Sequence, residues 1–260
     1  RKRQALSNEV LEGLEREEFV PFYQPQFYAD DLSLRGVETL CRWKHPSRGW
    51  VLPGDFFDVA EDLKVIGRMD QQLFRKASAD LAWLRGEGLV IPKISFNVSA
   101  DRLLLADLAD SLVAAIDPGT RVAVELLESM SLDSLSDTVR WSIDTLKERG
   151  VAIEIDDFGS CRASIAGLIA VGPDAMKIDG AIIRPLIGSD QHLRLVRAIV
   201  EIGQALDIAV VAEGVETQEH IDILRAEGCT VLQGFALARP MPAQELAAFL
   251  RDWPKVSAAQ

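Results

Sequence analysis

Eight short runs of β-branched and aromatic residues recur along the chain, and amphipathic stretches of helical spacing separate most of them. The runs are Phe19–Phe27, Leu34–Trp43, Lys93–Ser99, Arg121–Glu128, Val151–Asp157, Asp174–Asp179, Ile208–Gly214 and Val231–Leu237. Helical periodicity covers Asp70–Arg85, Ala100–Ile116, Asp133–Arg149, Asp190–Leu206, Gln218–Glu227 and Ala243–Trp253. Gly150 and Gly228 stand where helix C-caps would place glycine. Between the first two runs, Tyr28–Ser33 is a hairpin-length loop with no room for a crossover helix, so that pair must be antiparallel. The pattern predicts an α/β fold: a TIM-type (β/α)8 barrel with one antiparallel strand, the first being reversed. An open doubly wound sheet satisfies the same alternation and stays open at this point.

In such barrels the active site is built at the C-terminal ends of the strands. Here Glu38, Asn97, Glu125, Glu128, Asp156, Asp157, Lys177, Asp179, Glu213 and Gln233 fall at or near strand ends. Any one of these has a plain alternative reading as a helix N-cap or a solvated loop charge. Together at one mouth, the carboxylates would raise one another's pKa unless cations sat among them, and such oxygen-rich clusters suit Mg²⁺ or Mn²⁺. Asp156 and Asp157 are consecutive, so both reach one site only where the strand gives way to its loop. Glu154 shares parity with Asp156, which points it into the barrel interior as a supporting or internally paired group.

Charge and cysteine content narrow the function further. With 28 Lys and Arg against 40 Asp and Glu, the formal net charge is -12, which disfavours binding of DNA or RNA polymers through their phosphates. An anionic substrate would need metal ions to bridge that repulsion. Cys41, Cys161 and Cys229 are odd in number and widely spaced, so neither a disulfide framework nor a cysteine zinc site is indicated, and a cytoplasmic setting fits. No apolar run is long and uninterrupted enough to span a bilayer, so this segment is expected to make no membrane contact; any membrane anchor of a full-length protein would lie elsewhere. The Arg1-Lys2-Arg3 start, without an initiator Met, reads as a piece of a longer protein. His45, His192 and His220 read as surface or loop groups, with His220 solvated, and Trp43, Trp83, Trp141 and Trp253 as packing residues, Trp43 also as a support for the pocket floor.

A long, ordered series of motifs resembles the EAL family of cyclic di-GMP phosphodiesterases. It runs through Tyr23-Gln24-Pro25, Glu38-Thr39-Leu40-Cys41-Arg42-Trp43, His45-Pro46, Asn97-Val98-Ser99 and Glu125-Leu126-Leu127-Glu128-Ser129. It continues through Asp156-Asp157-Phe158-Gly159, Lys177-Ile178-Asp179, Ala212-Glu213-Gly214-Val215-Glu216-Thr217 and Gln233-Gly234-Phe235. The resemblance implies an EAL barrel over residues 11–254, preceded by a linker or domain end at 1–10 and followed by a tail at 255–260. It implies hydrolysis of cyclic di-GMP to linear pGpG with two divalent cations, Mg²⁺ or Mn²⁺, and inhibition by Ca²⁺. By position, Glu38, Asn97, Glu125 and Asp156 would hold one cation, and Asp156, Asp157 and Glu213 the other. Lys177 would sit beside the attacking water, with Gln233 close by. Arg42 would grip the phosphate and Leu40 pack on the dinucleotide, with Gln24, Asp179 and Glu216 as further substrate contacts. A homodimer, and fusion to an N-terminal sensor or diguanylate cyclase-like domain, follow from the same likeness.

The chain departs from the family pattern in places. Thr39 replaces the alanine of the signature, Leu127 stands where many members have threonine, and Gly159-Ser160-Cys161-Arg162-Ala163-Ser164 replaces the common Gly-Thr-Gly-Tyr-Ser-Ser. Glu128 matches the glutamate that braces that loop. No metal-ligand position is lost, so activity is expected; the altered loop keeps in view a receptor that binds cyclic di-GMP without cutting it, or a structural relay.

Overall fold

The computed structural model describes residues 2–105, 108–116, 119–127, 135–159 and 164–253. In chain order the elements are α1 (Lys2–Glu15), β1 (Phe19–Tyr28), β2 (Leu34–His45), β3 (Gly49–Val51), α2 (Phe57–Asp62), α3 (Ile66–Gly86), β4 (Lys93–Asn97), α4 (Ala100–Leu103) and α5 (Leu108–Ala115). They continue with β5 (Arg121–Leu127), α6 (Asp137–Glu148), β6 (Ala152–Phe158), α7 (Ile165–Val171), β7 (Ala175–Ile178), α8 (Gly180–Ile183), α9 (Asp190–Leu206), β8 (Ala209–Ala212), α10 (Gln218–Ala226), β9 (Val231–Leu232) and α11 (Ala243–Asp252). Local chemistry sets several helix starts: the side chains of Ser136, Ser164, Ser189 and Thr217 accept backbone N–H bonds at the N-termini of α6, α7, α9 and α10. Gly150 and Gly228 take φ of +80° and +87° just past α6 and α10, as their positions predict.

The strands pair in the order β1-β9-β8-β7-β6-β5-β4-β2, and β1 pairs with β2 to close the ring. The result is a closed eight-stranded barrel rather than an open sheet. Strand β1 runs antiparallel to both neighbours, whereas the pairs from β2 through β4 to β9 are parallel. The ninth strand, β3, is a hairpin extension of β2 outside the ring, which the periodicity did not predict. The last predicted strand, Val231–Leu237, is strand only at Val231–Leu232, because the backbone beyond Gln233 turns to bond with Val215. The helix predicted over Ala100–Ile116 is likewise divided into α4 and α5.

Outward-facing strand residues such as Ile94, Phe96, Val122, Val124, Ile153, Ile155, Met176 and Val210 pack with the surrounding helices in one core. Inward positions follow the period of two. Ala175, Val211 and Val231 form a small apolar cluster, while Gln24, Gln26, Glu38, Lys93, Ser95, Glu125, Glu154, Asp156, Lys177 and Gln233 are buried polar or charged residues. A satellite core joins α1 and α2 to the ends of β1 and β2 through Val10, Leu14, Phe19, Trp43, Phe56 and Val59.

Four side-chain readings are corrected by this packing. His220 is buried, not solvated: its ring meets the Thr217 hydroxyl at 3.0 Å and the Arg184 carbonyl at 3.3 Å. Trp83 and Trp141 are exposed on helix surfaces rather than packed. Trp43 is fully buried, but in the satellite core, where it stacks near Phe19 and donates from Nε1 to Glu18 at 2.9 Å; it does not floor the pocket.

Thr39, the replacement within the signature triplet, is 5% exposed, and its hydroxyl finds no hydrogen-bond partner among the described residues. A buried hydroxyl without a partner costs stability, whereas the methyl of alanine needs none. Thr39→Ala is therefore expected to stabilise the fold by about 1 kcal/mol and to raise the melting temperature by roughly 2–4 °C, measured by calorimetry.

Candidate active site and metal centre

Strand period and register bring the predicted acidic residues to one end of the barrel. Glu38 on β2, Glu125 on β5, Asp156 on β6 and Glu213 just after β8 converge on the ammonium of Lys177 on β7, at 3.2, 2.7, 3.0 and 2.7 Å respectively. Ser95 donates to the other oxygen of Glu125 at 2.5 Å, Asn97 donates to Glu38 at 3.3 Å, and Gln233 donates to Glu38 at 2.5 Å.

Asp157 joins the cluster by a backbone device. Its φ is +56°, the left-handed region, and the β6–β7 register slips between Ile155 and Phe158. This is the point where the strand gives way, and it lets two consecutive aspartates serve one mouth. A non-glycine residue there costs on the order of 1 kcal/mol, strain of the kind retained at functional sites.

Oxygen atoms of Glu38, Glu125 and Asp156 lie within 4.8 Å of one another, as do those of Asp156, Asp157 and Glu213. The two acidic groups share Asp156. Its Oδ1 is buried and makes no hydrogen bond, although the Lys177 ammonium is near. An all-oxygen donor set with such an atom fits hard divalent cations.

Electrostatics agree with that fit. One ammonium cannot balance four nearby carboxylates. Burial alone would lower the pKa of Lys177, but Glu125, Glu213, Glu38 and Asp156 hold it well above the usual lysine value. Glu125 is pushed well above the carboxylate range, first by burial and then by the charge of Glu38. Burial, reinforced by Asp156 and Glu38, lifts Glu213 to about 8, and burial with Asp156 lifts Asp157 to about 6. Glu38 stays below its ordinary value because Lys177, Gln233 and Asn97 outweigh its burial.

The remaining predicted residues sit at varying distance from this cluster. Gln24 is buried, accepting from Gln233 at 3.2 Å and donating to the Ala238 carbonyl at 3.1 Å. Leu40 and Arg42 are partly exposed further along β2. The Arg42 guanidinium lies 5.5 Å from the Phe22 ring centroid, donates to the Cys41 carbonyl, and forms no salt bridge among the described residues. Asp179 caps α8, accepting from Ala181 N–H at 2.7 Å, while its charge still raises Asp157. Glu216 is exposed on the loop before α10. Glu128 and residues 160–163, which include Cys161, lie outside the described residues.

Beneath the acidic cluster lies a polar floor. Glu154, fully buried, accepts from Lys93 at 2.5 Å and Arg35 at 2.8 Å, so it is an internally paired group. Ser95, Lys93 and Gln26 were missed in the sequence, yet each has the parity of a recognised neighbour: Ser95 and Lys93 that of Asn97, Gln26 that of Gln24.

The fold and this acid-rich mouth define a β/α barrel that carries, at the ends of its strands, a cluster of acidic residues able to bind metal ions. The sequence model of the EAL domain matches residues 7–240, and the chain belongs to that family. It is 32% identical over 250 residues to the oxygen sensor protein DosP of Escherichia coli K12, covering 95% of this chain and 31% of that protein. It is 35% identical over 249 residues to the bifunctional diguanylate cyclase/cyclic di-GMP phosphodiesterase MucR of Pseudomonas aeruginosa, covering 94% of this chain and 36% of that one. The chain thus spans about a third of the length of these curated relatives. The structure of the PaMucR phosphodiesterase in complex with c-di-GMP superposes with a TM-score of 0.83 at 34% identity, covering 93% of this chain and 99% of that one.

The raised acids give a signed pH dependence. Glu213 and Asp157 bind protons in the fold up to about pH 8 and 6, whereas their ordinary values are 4.5 and 3.8. The folded state therefore holds more protons than the unfolded state across that window, and stability falls as pH rises through it. In EDTA the melting temperature is expected to drop by about 3 °C or more between pH 5 and 8. Glu213→Gln should flatten the part of the drop between pH 6 and 8, as should saturating Mg²⁺ in place of EDTA.

Proposed function

We propose that this chain is a metal-dependent phosphodiesterase that hydrolyses cyclic di-GMP to linear pGpG. The observation that carries the reading is the pair of carboxylate groups sharing Asp156 around one buried lysine. Glu38, Asn97, Glu125 and Asp156 would hold one cation, and Asp156, Asp157 and Glu213 a second. Two bound Mg²⁺ or Mn²⁺ ions would neutralise phosphate oxygens and make a water acidic enough to attack at neutral pH.

The protein's own groups do the rest. Lys177, kept charged by its carboxylates, is assigned the place beside the attacking water on the resemblance, where its ammonium would donate to the nucleophilic oxygen. Water adds across one P–O3′ bond: its oxygen joins phosphorus and the 3′ oxygen leaves as a hydroxyl. Arg42, free of any salt bridge among the described residues, suits a forked contact to phosphate, and partly exposed Leu40 offers an apolar face to the dinucleotide. Gln24, Asp179 and Glu216 are weaker contacts, the first two because their side chains already bond internally. Glu128 is assigned the bracing of the loop at 159–164 on the resemblance alone. Inhibition by Ca²⁺ follows from its larger, looser coordination shell.

The wider context is proposed on the same footing. Relatives about three times as long support an N-terminal sensor or diguanylate cyclase-like partner domain. A homodimer and a cytoplasmic setting go with that reading; no described helix is long and apolar enough to cross a membrane.

Purified protein incubated with cyclic di-GMP and Mg²⁺ or Mn²⁺ is expected to yield pGpG on chromatography. EDTA should abolish product, and Glu38→Ala should lower turnover at least about 10²-fold. Intact dinucleotide recovered bound to the protein would replace the enzyme by a receptor.

A further inference from the structure

We infer that Gln26, which lies in the barrel floor and touches no predicted ligand, is a positioning residue that orients Gln233 and through it Glu38. This rests on the reading of Glu38 as a cation ligand. Gln26 is fully buried. Its Oε1 accepts from Arg35 Nη1 at 3.0 Å and from Lys93 Nζ at 3.2 Å. Its Nε2 donates to Gln233 Oε1 at 2.8 Å, and Gln233 Nε2 donates to Glu38 Oε2 at 2.5 Å and to Gln24 Oε1 at 3.2 Å.

Charge fixes the direction of both amides. Two cations at the floor can only donate, so the atom of Gln26 that faces them must be its oxygen. Its nitrogen then points up the barrel and requires an acceptor, which sets the oxygen of Gln233 downward. The nitrogen of Gln233 is thereby delivered to an ionised carboxylate, which can only accept. A reversed Gln233 would set oxygen against oxygen at Glu38 and lose its bonds to Gln24 and Gln26 as well. With Asn97 on Oε1, and Gln233 beside the Lys177 ammonium on Oε2, Glu38 has donors on both oxygens, and its rotation is restricted before any cation arrives. Partners of a ligand typically govern metal affinity by about 10–100-fold.

The test is a double-mutant cycle of Gln26→Leu with Gln233→Leu, read by Mn²⁺ titration, by steady-state kinetics on cyclic di-GMP and by NMR of the Gln233 side-chain amide in metal-free protein. Gln26→Leu is expected to weaken Mn²⁺ binding about tenfold and to lower kcat with KM little changed. In the Gln233→Leu background the same change should add nothing to either loss, because Gln26 acts only through Gln233. The wild-type Gln233 amide protons, identified by their absence in Gln233→Leu, should exchange slowly and lose that protection in Gln26→Leu. Equal losses in both backgrounds would mark Gln26 as a general packing residue and overturn the inference, as would unchanged Gln233 amide signals. A wild-type chain that neither binds Mn²⁺ nor cuts cyclic di-GMP would instead sink the phosphodiesterase reading, and the NMR result would then decide the orientation of Gln233 alone.

Discussion

Everything at the mouth of this barrel depends on one buried ammonium. Lys177 has no exposed side-chain surface, and four carboxylates from four different strand ends lie within 3.2 Å of it. A charge so far from water survives only if it is paired, and pairing it this way leaves the surrounding acids in excess. The excess is visible in the upward displacement of Glu125, Glu213 and Asp157. The site thus holds protons it would surrender to a stronger positive charge. The arrangement that keeps the lysine charged also leaves the mouth with carboxylates able to bind cations.

That arrangement is tolerable because the rest of the interior is organised in layers. Below the acids, Glu154 is matched by Lys93 and Arg35, and Gln26 with Gln233 fills the space between with directed amides. The apolar filling includes small or branched residues at Ala175, Val211 and Val231. The bulky hydrophobic residues are on the outside of the strands, under the helices, so the large core supplies the stability against which a charged interior is held.

Much of this was legible in the residues. The count of eight strands and the reversed first strand followed from alternation and from the short loop at Tyr28–Ser33, because hairpin length leaves no other option. The acids of the site stood at strand ends, where parity and topology converge. What escaped was of two kinds. Side chains buried by tertiary contact, such as His220 in its helix, carry no local mark of burial, and exposed tryptophans look like packing residues. The floor residue Gln26 lies near the end of the reversed strand β1 and Lys93 at the start of β4, both away from the mouth, so attention to the mouth ends of the strands passed over them although their parity was correct. The hairpin strand β3 is three residues long, too short for a period to register.

The seam of the barrel carries a consequence for how the molecule comes into being. Strand β1 meets β9 through only two register pairs, Phe27 with Leu232 and Tyr28 with Val231, joining segments some two hundred residues apart. The glutamine that steadies Glu38 comes from the far side of that seam. A nascent chain can form β2 and its early parallel neighbours, which bring Asn97 and Lys177 to Glu38, yet the Gln233 donor is missing until the last strand emerges and docks. Closure of so long a loop is slow compared with local pairing. The full hydrogen bonding of Glu38 is accordingly a late event in folding, and a product truncated before Gln233 would carry the acids of the mouth without that bond.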